Sequence, residues 1–205
     1  MPPALRKTVF FLATCRWGLL AAVLAGMFAC QRVPEPKPRG YFRLDLPAHA
    51  YDTLRLELPF FMEVPAYAEV RQTEAERVQG GFDVFFPSFG ATLYLTYKPV
   101  DHNLERLSAD MVRAVQFIAR QPEHIRPSRL AGLKRGVSGI LYEVDGPVAS
   151  AVQCCLTDSV RHFLRASLYF SQAVNPDSLR PVIQFLTDDI RYMASSLEWK
   201  ELLGK

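Results

Sequence analysis

The sequence has few of the residues that usually carry catalysis or metal binding. It holds four cysteines and four histidines in 205 residues. No cysteines show the CxxC spacing of a structural zinc site, and His49, His102 and His124 are isolated from one another. No glycine-rich phosphate-binding loop follows a predicted strand. We therefore expect no catalytic residue, no bound metal and no cofactor.

The sequence also lacks a convincing nucleophile. Asp158 and Ser159 lie just before His162, and Ser138 lies in a Gly-Val-Ser-Gly run that is not the G-x-S-x-G elbow of hydrolases. A turn Asp-Ser pair more often bonds its own backbone, and a lone strand histidine is more often a packed or exposed side chain than a catalytic one. A periplasmic hydrolase or small-ligand-binding protein is therefore the alternative interpretation rather than the main one.

An excess of one charge is absent as well. The chain has 24 basic and 21 acidic residues, and Arg6, Lys7 and Arg16 precede Cys30 with no acid among them, which leaves 21 residues of each sign. Proteins that bind nucleic acid normally carry a basic excess. The charge balance therefore predicts no nucleic-acid partner, and no motif indicates a small-molecule substrate.

What the sequence does have is an N-terminal leader. Basic residues precede an uncharged apolar run, WGLLAAVLAGMFA, at residues 17–29, which is the pattern of a secretion signal. Cys30 follows a small residue, as in a bacterial lipobox, although Met27 and Phe28 depart from the usual residues. We predict a lipoprotein signal peptide over residues 1–29 and lipid attachment at Cys30.

The alternative to a cleaved leader is a transmembrane anchor over residues 9–29. Such an anchor would place Arg16 in the hydrocarbon, at a cost of about 2.5 kcal/mol or more. The lipoprotein interpretation avoids this cost. It predicts a lipid-anchored membrane protein that faces the periplasm, in either the inner or the outer membrane.

Two regions follow Cys30. Residues 30–40 contain prolines at 34, 36 and 38, which favours an extended spacer between the lipid and the folded part. Residues 41–205 are long enough to form one domain with its own core. We therefore predict a signal peptide, a proline-rich tether and a single periplasmic domain.

Apolar residues in the domain recur at two different spacings along the chain. Period-two alternation is typical of half-buried strands, and apolar residues at three- and four-residue steps are typical of amphipathic helices. The predicted strands cover residues 41–46, 53–58, 82–86, 92–97, 139–144, 149–156 and 162–170, with an edge strand or loop at 59–65 and a basic connection at 126–136. The predicted helices cover residues 103–120 and 176–199. Consecutive strands with two long amphipathic helices indicate an α+β fold with a largely antiparallel sheet.

The adjacent cysteines Cys154 and Cys155 fall within a predicted strand. Neighbouring strand side chains point to opposite faces, so a disulfide between them would require a distorted backbone. We interpret them as two small strand residues rather than as a redox site.

The last predicted strand carries the best candidate for a binding surface. Arg161, Phe163, Arg165 and Tyr169 share one face with Ser167, and arginine and tyrosine are enriched in binding hot spots. The functional interpretation is a partner-binding face, and the alternative is the solvated face of a half-buried sheet. The opposite set, His162, Leu164, Ala166 and Leu168, is more apolar and is predicted to face the core.

A series of ordered runs extends over nearly the whole chain after Cys30. They are PKPRGYFRLDLP (36–47), LYLTYKPV (93–100), GILYEV (139–144), ASAVQ (149–153), LTDS (156–159), HFLR (162–165), PDSL (176–179) and EWK (198–200). Together these runs resemble the gliding-motility lipoprotein GldD family of Bacteroidetes.

The resemblance implies a lipoprotein that is not an enzyme and that is needed for gliding and for the associated type IX secretion machinery. It implies partners among other gliding or type IX secretion envelope proteins, such as the lipoprotein GldJ. It supplies no catalytic residues. It also implies bulky apolar residues in relatives at the positions of Cys154 and Cys155, which argues further against redox chemistry.

Overall fold

The structure, a computed structural model, describes residues 45–171 and 176–200. All of these residues belong to the unit Phe42–Lys205. The predicted leader, Cys30, the proline-rich spacer and residues 41–44 of the first predicted strand lie outside the described residues.

Short strands at the start of the described chain are followed by longer strands and by three helices. The strands are β1 (Tyr51–Thr53), β2 (Phe60–Phe61), β3 (Glu63–Pro65), β4 (Glu69–Arg71), β5 (Gly81–Phe86), β6 (Ala91–Pro99), β7 (Ile125–Arg129), β8 (Ser138–Val144), β9 (Val152–Thr157), β10 (His162–Phe170) and β11 (Glu198–Trp199). The helices among the described residues are α1 (Glu74–Gln79), α2 (Leu104–Ala119) and α3 (Pro176–Ser196).

Seven of these strands form one sheet in the order β4-β5-β6-β10-β9-β8-β7. Every neighbouring pair in it is antiparallel. Two smaller pairs, β1 with β3 and β2 with β11, flank it and are antiparallel as well. The prediction of an α+β fold with a largely antiparallel sheet is confirmed for the described residues.

One face of the sheet packs against α3. Leu164, Ala166 and Leu168 of β10 lie in the same buried cluster as Leu186 and Ile190 of α3. The apolar residues of α3 recur at helical spacing, so one side of the helix can bury them together against the sheet. The predicted inward set of β10, which also includes the buried His162, is confirmed.

The other face of the sheet packs against α2, which covers only part of it. Met111 and Val115 of α2 are buried in a second cluster with Tyr142 of β8 and Phe163 of β10. Because Phe163 precedes Leu164 in a strand, its side chain points to the opposite face. The helix contacts β7, β8 and β10, whereas on the β4-β5-β6 side of this face the short helix α1 contacts β5, with Glu76 beside Asp83.

The predicted strands near the start of the domain are largely wrong. Asp45 and Leu46 are not in a strand, and of the predicted strand 53–58 only the first residue is, at the end of β1. Leu54 and Leu58 are nevertheless buried. The alternation therefore predicted the burial of these side chains correctly. Most of the segment is nevertheless not a strand, because β3, the partner of β1, is only three residues long and Pro59 cannot donate a strand hydrogen bond.

The predicted connection at 126–136 is also partly wrong, because β7 occupies its first residues. Pro127 lies within β7 opposite Tyr142, and proline is tolerated there because β7 is an edge strand. The short helix α1 was not predicted, although Thr73 and Glu76 form a capping box at its start, and that spacing is visible in the sequence. The two predicted helices correspond to α2 and α3, with α3 ending at Ser196 before β11.

Candidate functional site

The part of the sheet that α2 leaves uncovered forms a mixed aromatic and polar surface. Its side chains come from β4, β5, β6 and β10, and the register aligns them in rows across the strands. One row contains Phe85, Thr92 and Tyr169, and the next contains Asp83 and Tyr94. We call this surface the open face; its principal residues are Arg71, Asp83, Phe85, Tyr94, Arg165 and Tyr169.

Aromatic rings on the open face are held in defined geometries. The rings of Tyr94 and Tyr169 pack edge to face with their centroids 5.6 Å apart. The guanidinium carbon of Arg71 lies 3.7 Å from the ring centroid of Phe85, a cation–π contact. Tyr94 is 46% exposed. Rigid rings that remain partly exposed lose little conformational entropy on binding, which suits them to a protein interface.

A polar cluster lies beside these rings. The buried Gln153 accepts hydrogen bonds at Oε1 from Arg165 Nη2 (2.9 Å) and Ser167 Oγ (3.2 Å). Gln153 Nε2 and Arg165 Nε are buried and have no hydrogen-bond partner within the described chain. Most buried polar groups in proteins are hydrogen-bonded. These two donors are therefore exceptions, and their burial places them beneath the open face rather than on its surface.

Asp83 introduces a titratable group into the open face. Burial, the nearby Glu76 carboxylate and a hydrogen bond with that carboxylate raise the pKa of Asp83 from 3.8 to about 6, and Arg71 opposes the rise. A carboxyl group that is partly protonated near pH 6 can both donate and accept hydrogen bonds. The charge of the open face therefore changes within a physiological pH range.

The structure separates the four residues of the predicted partner-binding face. Arg161 is exposed in the turn before β10. Phe163 is only 4% exposed, because α2 covers it. Arg165 and Tyr169 are half-buried and lie on the open face. The four residues thus do not form one continuous surface, and their role in binding remains a prediction.

Sequence reasoning did not assign Arg71, Phe85 or Tyr94 to a site. The signal for Tyr94 was present, because Thr92, Tyr94 and Thr96 alternate with the buried Leu93 and Leu95. Alternation alone shows which side chains share a face but does not show which part of that face a helix will cover. Only the position of α2 identifies the uncovered part.

The weak hydrolase candidate is explained by local packing. Asp158 Oδ1 accepts hydrogen bonds from the backbone N–H groups of Val160, Arg161 and His162 at 3.0, 2.8 and 2.8 Å. The buried ring of His162 stacks on Trp199 with centroids 4.8 Å apart. Burial lowers the pKa of His162. The interpretation of Asp158 as a backbone-bonding turn residue is confirmed, and His162 is packed rather than exposed.

The adjacent cysteines are free thiols on opposite sides of β9. Cys154 lies in the first buried cluster, whereas Cys155 is half-buried beside the second. Burial raises the pKa of Cys154 to about 12. Thiols with raised pKa values are poor nucleophiles at neutral pH. The interpretation as small strand residues agrees with their position.

A second polar cluster ties the start of the described chain to α3. Asp189 is fully buried; it lies 2.7 Å from His49 Nδ1, accepts a hydrogen bond from Tyr51 Oη at 2.8 Å and accepts a further one from Tyr67. Burial and the contact with this carboxylate raise the pKa values of both tyrosines. The cluster satisfies a buried carboxylate with three donors, which is a structural role.

One surface pocket of about 300 Å³ lies between residues 52–56 and 64–70. Its polar side chains are Asp52, Thr53 and Arg55, and the other lining residues are apolar. Within the described ranges, no group of three or more metal-binding side chains occurs. None of the helices at 45–171 and 176–200 is long and apolar enough to cross a membrane.

Fold and site together define an α+β domain in which α2, among the described residues, covers only part of one face of the sheet. The family model of the gliding motility lipoprotein GldD matches residues 31–199 of the sequence. The chain therefore belongs to the gliding motility lipoprotein GldD family. Because the family consists of lipoproteins, the protein is held at a membrane of the cell envelope. Because the family is one of gliding motility, the protein has a role in gliding motility.

Other comparisons add little. No curated protein matches the sequence. The solution structure of cyanobacterial PsbP from Synechocystis sp. PCC 6803 matches at 9% identity with a TM-score of 0.46, over 77% of this chain and 97% of that chain. This likeness is too remote to indicate a function.

Proposed function

We propose that the protein is a lipid-anchored envelope component that faces the periplasm and acts by binding other proteins of the gliding machinery and of the associated type IX secretion system. The lipid is attached at Cys30, and the proline-rich segment at residues 30–40 spaces the domain from the membrane. Membership of a lipoprotein family supports the anchor. The proposed partners are other envelope proteins of this machinery, such as a GldJ-type lipoprotein.

The observation that carries the binding role is the open face. It combines partly exposed aromatic rings, Tyr94 and Tyr169, with the arginines Arg71 and Arg165. Tyrosine and arginine anchors at the centre of a patch dominate the affinity of many protein interfaces. The partner binds on these side chains beside α2.

The experiment is a crosslinking pull-down from membranes that compares Tyr94→Ala with Phe117→Ala. Phe117 is a matched control because it is an exposed aromatic residue on α2, outside the open face. Tyr94→Ala should reduce capture of gliding or secretion proteins and secretion of a type IX cargo. Phe117→Ala should leave both at the level of the unsubstituted protein. Equal capture by the two variants would show that the open face does not bind the partner.

The anchor is tested independently with Cys30→Ala. Metabolic labelling with a palmitate analogue should label the unsubstituted protein and not the variant, because a lipobox cysteine is the acceptor. Labelling of Cys30→Ala would contradict attachment at this residue. An unsubstituted protein that keeps its leader would contradict cleavage before Cys30.

A further inference from the structure

Three large apolar side chains are strongly exposed at one end of the sheet. Phe61 is 53% exposed, Val78 is 79% exposed and Val160 is 67% exposed. They come from three different elements, β2, α1 and the turn before β10. Single exposed apolar residues are ordinary on protein surfaces, whereas several gathered on one edge indicate a contact site. We call these three residues the apolar rim.

The strand pairing places the three residues together. Val160 precedes His162, which pairs with Pro99 at the end of β6 and stacks on Trp199. Trp199 belongs to β11, the partner of β2, where Phe61 lies.

Val78 reaches the same end through the start of β5. The backbone N–H of Tyr97 donates to the carbonyl oxygen of Gly80 at 2.8 Å, so the end of α1 lies against the last residues of β6. Strands β5 and β10 are separated by β6 alone, a distance of about 10 Å at the usual strand spacing. Val78 and Val160 therefore lie at the same end of the sheet, and β2 with Phe61 joins that end through Trp199.

Each member of the rim has a cation beside it. Lys200 Nζ lies 4.6 Å from the ring centroid of Phe61. Lys98 Nζ lies 3.5 Å from the carbonyl oxygen of Gln79, the residue after Val78. Arg161 follows Val160 in the sequence and is exposed.

Several carboxylates at this end are already engaged. Glu74 pairs with Arg77, and Glu198 pairs with Lys134. The Asp158 carboxylate accepts three backbone N–H bonds. Asp101 adds one further exposed carboxylate near this end. Lys98, Arg161 and Lys200 form no salt bridge within the described chain, so they can contact an anionic partner, although Asp158 keeps its negative charge beside Arg161.

We propose that the apolar rim rests on the anionic phospholipid surface of the bilayer in which the protein is anchored. Phe61, Val78 and Val160 enter the boundary between headgroups and acyl chains, and Lys98, Arg161 and Lys200 contact lipid phosphates. This inference rests on the lipid anchoring of the protein and adds a second, orienting contact to it. Apolar tips flanked by cations are the side-chain chemistry of interfacial membrane binding.

Two observations favour a bilayer over a protein partner. The apolar tips are three separate side chains, whereas a stable protein interface buries about 800 Å² of continuous surface on each partner. A membrane is also always within reach of a lipid-anchored domain. Residues 31–44 separate Cys30 from the described chain, and a stretch of that length spans at most about 50 Å. Tethering raises the effective concentration of the lipid surface, so weak contacts suffice.

The test places tryptophan on the rim and on α2. Full-length Val78→Trp, Val160→Trp and Phe117→Trp are purified from membranes and reconstituted into vesicles of phosphatidylglycerol and phosphatidylcholine with brominated acyl chains. Phe117 is the matched control because it is 86% exposed but lies on α2, away from the rim. Quenching is measured relative to the unsubstituted protein, and thermal melting verifies that each variant is folded.

Quenching at positions 78 and 160 should exceed quenching at 117 several-fold. Adding Lys98→Glu and Arg161→Glu, or raising the salt concentration, should reduce it, because screening weakens attraction to lipid phosphates. Stronger quenching at 117 would overturn the inference and place α2 on the bilayer. A blue shift at 78 and 160 without quenching would overturn it in favour of a second copy covering the rim.

Flotation of the unsubstituted protein with the vesicles tests the anchor separately. If the protein floats and neither rim position is quenched, the rim inference fails while the anchor stands. If it does not float, the lipid anchor fails. The same vesicles are then added to the unanchored protein, and absence of quenching at 78 and 160 overturns the rim inference as well.

Discussion

At the scale of single residues, carboxylates decide several features of this domain. Asp189 is buried and bonded by three donors, whereas Asp158 is bonded by its own turn. In both, hydrogen bonds from protein donors replace the hydrogen bonds that the carboxylate would make with water. Asp83 differs, because Glu76, another carboxylate, is its close neighbour. The three residues therefore respond differently to substitution.

Asp83→Asn should stabilise the protein at neutral pH and not in acid. The folded-state pKa of Asp83 is about 6, above its ordinary 3.8, so its stabilising contribution is present below pH 4 and is lost as pH rises through 6. Asparagine carries no charge, so the variant does not lose this stability as pH rises. At neutral pH its free energy of unfolding should exceed that of the unsubstituted protein by about 1 kcal/mol, after allowance for solvent screening. Thermal melts at pH 3.5 and pH 7.5 measure the difference. A gain of equal size at both pH values would contradict the assigned pKa.

Asp189→Ala should destabilise the domain at neutral pH. The substitution leaves the hydroxyls of Tyr51 and Tyr67 without their acceptor, and breaking such a buried polar cluster costs about 3 kcal/mol or more. Asp188→Ala is the control, because Asp188 is exposed next to Asp189. Urea unfolding of the two variants measures the cost. Equal midpoints would show that the cluster does not stabilise the attachment of residues 49–67 to α3.

At the scale of elements, the two long helices have unequal roles. Helix α3 covers the sheet together with residues 54–64 and contributes to the larger cluster. Helix α2 covers part of the opposite face and contributes three fully buried side chains, Met111, Val115 and Ala119. Helix α3 buries twice as many apolar side chains, so it contributes more to stability than α2 does; they are Val182, Phe185, Leu186, Ile190, Met193 and Ala194.

Leu186→Asp should unfold the domain. Leu186 is fully buried at the centre of α3, and an unpaired carboxylate there costs several kcal/mol against a typical total of about 5 to 15. Gln184→Asp introduces the same charge at an exposed position of the same helix and should change stability by only about 0.5 kcal/mol. Circular dichroism melts distinguish the two. A cooperative Leu186→Asp melt near the unsubstituted temperature would mean that α3 is not part of the core.

At the scale of the whole molecule, two surfaces are separated in space. The open face lies on the uncovered strands beside α2, and the apolar rim lies at the end of the sheet that carries the β9–β10 turn. Arg165 belongs to the open face, and Arg161 borders the rim. The two arginines were predicted to act together, but the structure assigns them to different surfaces.

Substitutions at these two arginines should therefore have different consequences in cells. Arg165→Gln can keep a hydrogen bond to Gln153 and should impair partner capture and type IX secretion while leaving the melting temperature nearly unchanged. Arg161→Glu should preserve partner capture and stability, because it is exposed. Capture assays and cargo secretion at matched protein abundance make the comparison. If Arg161→Glu impaired capture and Arg165→Gln did not, the partner would bind at the turn before β10 and not at the open face.

Much of the architecture is readable in the sequence because it is local. The alternation in β5, β6, β8 and β10 and the helical spacing in α2 and α3 reflect burial of one side of each element. Leu54 and Leu58 are buried but do not belong to a strand. There the alternation predicted the burial of the side chains correctly and the backbone conformation wrongly. Edge strands such as β7, with Pro127 inside it, carry a weak pattern because only one side has a partner.

The sequence by itself determined the α+β class, the inward side of β10, the backbone-bonding role of Asp158 and the family resemblance, since each depends on residues close together in the chain. The tertiary structure alone decided which part of the second sheet face α2 covers, so it alone separated Phe163 from Tyr169. It also brought Phe61, Val78 and Val160 to one edge. These outcomes depend on strand order and helix placement, which bring distant residues together and leave no periodic signal in the sequence.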